Sequence, residues 1–193
     1  MPEKEQHIGA MVKGALIGTL TGSGEVGSAA IDAVRKIVVT AIRGTADVTT
    51  ELTRSAGEIA GTAVTTAGEL GADVTAALTT TTRGVIHAAS DVGGDLGSTA
   101  RAAARGAIQA SNEVGGDLGQ TAVAVVRGSI AGTAHVVGDV GHVTEQAVRG
   151  VLEGAGALGD TALKTVAHAL QTGIVESREL VSAAVKKHQE RAQ

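Results

Sequence analysis

The chain has 193 residues, a formal net charge of −4, a pI near 5.8, and no Cys, Phe, Trp or Tyr. Its charges are interspersed, which removes the electrostatic case for nucleic-acid binding, and the missing thiols exclude a disulfide framework. An ordinary globular core would lack its aromatic contributors, and 28 glycines at about 1 kcal/mol each against alanine make a bare helix unstable.

Residues 1–6 form a polar lead, Met1-Pro2-Glu3-Lys4-Glu5-Gln6. It lacks the basic start of a secretory signal, and no uncharged apolar run in the chain approaches about 18 residues. The expectation is a cytoplasmic protein, associated with a membrane surface rather than crossing it.

Residues 7–44 carry the bulkier apolar side chains, among them Met11, Leu16, Ile31, Val34, Ile37, Val38 and Ile42. They wrap far around a helix, and a helix apolar over that width needs cover on more than one side. This segment is expected to dock a larger enzyme partner or to form the best-packed end of a homo-oligomer. Within it, Gly22-Ser23-Gly24-Glu25-Val26-Gly27 matches the dinucleotide fingerprint, but no βαβ pattern surrounds it, and a hinge is the better reading.

Residues 45–82 are rich in Thr and Ala and end in Thr79-Thr80-Thr81-Thr82. Four β-branched residues in succession weaken a helix, so a break is expected near Thr80.

Residues 83–182 hold a repeat. Arg83-Gly84, Arg105-Gly106, Arg127-Gly128 and Arg149-Gly150 return every 22 residues, and each half resembles the other at 11. Eleven residues are almost three α-helical turns, so equivalent positions fall on one face. That face gathers Val85, Ile86, Val92, Leu96, Ile108, Val114, Leu118 and Val125, then Ile130, Val136, Val140 and Leu152. The opposite arc holds Asp91, Asp95, Arg105, Asp117, Arg127, Asp139 and Glu153. Gly93 with Gly97, and Gly115 with Gly119, are spaced to let helix backbones approach closely. Loops would disturb the phase, so the expected fold is all-α: long amphipathic 11-residue-repeat helices assembling as a right-handed coiled coil or helical tube. Residues 183–193, with Lys186, Lys187 and Arg191, form a polar end.

No nucleophile, base and acid converge on a motif, and His7, His87, His135, His142, His168 and His188 are scattered without metal-ligand spacing. The expectation is no enzymatic activity, no metal and no covalently bound cofactor.

Gly84-Val85-Ile86-His87-Ala88-Ala89-Ser90-Asp91-Val92-Gly93-Gly94 resembles the 11-residue units of synucleins, perilipins, exchangeable apolipoproteins and late-embryogenesis-abundant proteins. That resemblance implies a lipid-surface coat or a stress protectant. The layout, a bulky apolar segment followed by a small-residue array, also looks like the stalk subunit family of mycobacterial high-affinity uptake hydrogenases. It implies a homo-oligomeric scaffold between an enzyme and a membrane, whose stripe residues line an apolar lumen that carries quinone or lipid.

Overall fold

A computed structural model describes residues 26–42 and 47–174, with isolated helical positions at 10–17 and 179–190. Among the described residues seven full helices follow one another: α1 (Val26–Ile42), α2 (Val48–Leu70), α3 (Val74–Asp91), α4 (Leu96–Glu113), α5 (Leu118–Thr133), α6 (Val140–Leu158) and α7 (Asp160–Gly173). No strand occurs among the described residues.

The expected long uninterrupted helices are corrected here: the longest of these helices has 23 residues. The repeated words Val92-Gly93-Gly94-Asp95 and Val114-Gly115-Gly116-Asp117 are the breaks. Gly93 and Gly115 take positive φ, +67° and +68°, a conformation in which any side chain is strained. The following amides, Gly94 and Gly116, donate back to the carbonyls of Ala89 and Ser111 at 2.8 and 2.7 Å, closing the left-handed end of each helix. The next residue is then an aspartate that starts a new helix. Asp95 accepts from the Ser98 amide, Asp117 from Gln120 and Asp139 from His142. Asp47 and Asp73 do the same for α2 and α3. Backbone hydrogen bonds hold the Asp47 carboxyl below its ordinary value; for Asp95 the bonds from Ser98 do so.

The break expected near Thr80 is absent, because Thr79–Thr82 lie in mid-α3. Burial overrides the weak propensity of the run: Thr81 and Thr82 are fully enclosed, and the Thr79 hydroxyl donates to the Ala124 carbonyl of α5. The glycine-rich hinge at Gly22–Gly27 lies largely outside the described residues.

Each helix packs against its immediate neighbour and, over a longer contact, against its next-but-one neighbour. Helices α2, α4 and α6 form one layer, and α1, α3, α5 and α7 form the other. Within a layer the helices run parallel, since Gly57 and Gly61 of α2 face Gly106 and Ala110 of α4 in the same order. Leu52 at the start of α2 also lies beside Gly94, just before α4, so α3 must carry the chain back between them. The result is a two-layer stack of helical hairpins, an α-solenoid arrangement in which one hairpin spans 44 residues.

The crossings within each layer explain the Arg-Gly pairs. A Cβ on Gly84 would come within 2.9 Å of the Ile31 carbonyl, on Gly128 within 2.8 Å of the Thr79 carbonyl, and on Gly150 within 2.9 Å of Arg101 backbone. Gly106 lies equally close to Gly57. Each glycine therefore marks a place where two backbones touch. Around these crossings the core is filled by small residues, Ala60, Ala63, Ala88, Ala103, Ala107, Ala122 and Ala147, with Ile86, Ile108 and Leu152 also buried. The ion pairs Arg35–Asp91 and Arg101–Glu153 join next-but-one helices at the surface. Being half exposed, each adds at most about 1 kcal/mol.

Candidate interaction surfaces

The stripe residues divide according to where each helix ends. Val85, Ile86, Ile108, Val125 and Leu152 are fully buried between helices of the same chain. Val92, Leu96, Leu118, Ile130 and Val136 pack against that core while partly exposed, and Val140 is intermediate. Val114 is exposed. Helices of this one chain therefore supply the cover that the composition demands.

The glycines expected at close packing also divide. Gly97 lies against the His142 and Gln146 side chains of α6, and Gly119 against Ala169 of α7. Gly93 and Gly115 have no atom within 4 Å of where a Cβ would stand. Their role is corrected from packing to helix termination. The backbone crossings belong to Gly57, Gly84, Gly106, Gly128 and Gly150; the signal for four of them was the Arg-Gly recurrence itself.

Of the expected docking residues, Ile31, Val34, Ile37, Val38 and Ile42 are buried against the rest of the chain, so their side chains form no open face. They are wide apolar surface because α1 meets both α2 and α3. Met11 is 41% exposed, and Leu16 lies outside the described residues.

Two of the described histidines lie close together. His87 of α3 and His135, just past α5, have ring centroids 6.4 Å apart. His87 Nε2 is buried without a hydrogen-bond partner, as is Nε of Arg83 one turn earlier. Burial lowers the affinity of His87 for a proton, and the charges of Arg83 and Arg35 add to that effect, while Asp91 opposes it. No cluster of three or more His, Asp or Glu able to hold a metal occurs among the described residues.

Two surface features stand out. A groove of about 820 Å³ runs between α2 and α4 around the Gly57–Gly106 crossing, with Arg54, Glu58, Arg105, Gln109 and Glu113 among its lining. At one edge of the stack, Leu70, Val114 and Leu158 close α2, α4 and α6 and are 45%, 47% and 36% exposed. The opposite edge carries Val137, fully exposed in the turn between α5 and α6. No helix among the described residues is long and apolar enough to cross a membrane.

Compared with known proteins, the chain matches no family model and no curated protein.

Proposed function

We propose that this chain is a non-enzymatic helical scaffold, a stack of hairpins that spaces or positions partner molecules. One observation carries the reading: a single packing rule, parallel next-but-one helices crossing at glycine, is repeated through both layers. Architectures built this way grow by adding hairpins and offer long surfaces along their edges and faces, where several contacts can act together. The layout suggests the kind of partner, a larger enzyme held near a membrane surface or a hydrophobic carrier such as quinone, with the chain in a homo-oligomer. The enclosed side chains of Ile86 and Ile108 are not part of that carrier path; a path would lie between copies or along exposed surface.

Circular dichroism and small-angle scattering of dilute, lipid-free protein test the proposal. A scaffold of this design is helical without partner or lipid and scatters as a particle a few nanometres long. A chain that gains helix only when anionic vesicles are added would replace the scaffold with a lipid-surface coat. Helix appearing only on dehydration would favour a protectant.

A further inference from the structure

The edge formed by the ends of α2, α4 and α6 carries features that the scaffold reading does not use. Leu70, Val114 and Leu158 are spaced 44 residues apart, so they occupy one position in successive hairpins and form a row. Touching residues in the layer are mostly 46 to 50 apart rather than 44, so each helix sits about one turn back from its predecessor. A lateral step of about 8 Å, the close end of helix packing, and an axial step of about 5.4 Å place successive members of the row about 10 Å apart. That is close to the rise between residues seven apart on an α-helix. Between the turns at 71–73 and 115–117 the row opens into a hollow of about 420 Å³, lined in part by Val64, Gly68, Val74 and Val114.

Charge identifies the occupant. Asp73, Glu113, Asp117 and Asp160 flank the row, all exposed; Glu69 beside them is paired with Lys13, and Lys164 is the other described cation on this edge. A second copy of the chain could align its row antiparallel, Leu70 on Leu158 and Val114 on Val114, but it would bring the same acids face to face. A cationic partner avoids that clash.

We propose that this edge docks an amphipathic helix whose apolar residues recur every seven positions and whose flanks carry Lys or Arg, presented by a partner protein. The inference rests on the scaffold reading and names what the scaffold would hold. Apolar contacts along the row fix the register of the bound helix, and the acids speed encounter and reject acidic helices.

The test uses the full chain and a fluorescent synthetic helix with three leucines at heptad spacing between lysines. Two control peptides replace lysine by glutamate or leucine by alanine. Binding is followed by anisotropy at two salt concentrations. The lysine–leucine helix should bind, and both controls should bind roughly tenfold more weakly or worse. Combined Leu70→Ser, Val114→Ser and Leu158→Ser substitutions should weaken binding by roughly tenfold with the circular dichroism spectrum unchanged. Glu113→Lys should weaken it and reduce its salt dependence. Equal binding of the glutamate peptide, or unchanged affinity in the triple variant, would overturn the proposal. So would a wild-type dimer that the triple variant converts to monomer, since a second copy would then cover the row. A chain that is helical alone yet binds no peptide removes the docking edge and leaves the scaffold; a chain unfolded alone removes both.

Discussion

Alanine at Gly106 and alanine at Gly156 should shift stability in opposite directions. Both glycines lie inside helices, α4 and α6, so each substitution gains about 1 kcal/mol of intrinsic helix preference. At Gly156 a Cβ meets nothing within 4 Å. The gain should appear almost whole, as a rise in Tm of about 2–4 °C for a chain of this size. At Gly106 the same atom would stand 2.7 Å from both Cα and the carbonyl carbon of Gly57, and nearer still to its oxygen. These are backbone atoms and cannot rotate aside. To restore van der Waals distance, α2 and α4 must separate by roughly 1 Å, which weakens the dispersion contacts along the whole crossing. Overpacking of this kind costs about 1–3 kcal/mol before such losses are added. The cost exceeds the propensity gain, and a net loss of about 1–2 kcal/mol should lower Tm by about 2–8 °C. Parallel thermal melts followed at 222 nm, or by calorimetry, read the difference directly. If Gly106→Ala raised Tm as Gly156→Ala does, Gly106 would lie on an open helix and the stacked arrangement would be refuted.

Removing the cap with Asp117→Ala should destabilise the chain by about 1 kcal/mol in urea titrations, while Asp117→Asn should stay within a few tenths, because asparagine also accepts the Gln120 amide. Equal losses from the two would place the effect in charge rather than in the cap. Ile108→Ala, at a site with no exposed surface, should cost about 2–5 kcal/mol, and Ile130→Ala, partly exposed, clearly less. Equal costs would contradict this assignment of burial. For His87, burial depresses proton affinity in the folded chain below the ordinary value of 6.5. The unfolded chain therefore takes up the proton first on acidification. The stability this histidine supports is complete above pH 6.5 and declines as pH falls below it towards the lowered folded value. Unfolding midpoints measured from pH 7.5 to 5 should fall more for the wild type than for His87→Leu. Identical slopes would show that His87 titrates freely in the folded chain.

The helical class was legible in the sequence, because it depends only on a period near 3.6. Where the helices end was also written there, in Val-Gly-Gly-Asp, but an 11-residue frame hides it. Leu96–Glu113 contains 18 residues, and Val114–Asp117 adds the remainder of one 22-residue unit. A turn that belongs to the repeat does not shift its phase. Constant phase therefore fits a continuous rod and a stack of hairpins equally well. The separating signal is local chemistry: a glycine able to adopt positive φ, followed two residues later by an aspartate able to cap. Asp95, Asp117 and Asp139 looked like members of a charged helical face and are caps instead. The exposed row was not legible at all. Val114 shares its frame position with buried residues and is exposed because its helix stops at Glu113.

Read with the crossings in view, the composition takes on a different meaning. The absence of aromatic residues argues against a core that keeps helices at ordinary distances, because such a core needs large side chains to fill it. Here Gly57 and Gly106, or Thr79 and Gly128, bring backbones into contact, and alanine is the side chain that fits beside them. A phenylalanine near such a crossing would force the helices apart and undo the contacts on either side. The helix propensity lost at each crossing glycine is offset by backbone and alanine contacts that only glycine permits. Gly93 and Gly115 serve the other requirement, the positive φ that ends a helix, and tolerate no side chain for a reason of conformation rather than space. One residue type thus meets two demands at the same 22-residue spacing, and replacing either kind should disturb the stack in different ways: the first separates helices, the second strains the turn that reverses the chain.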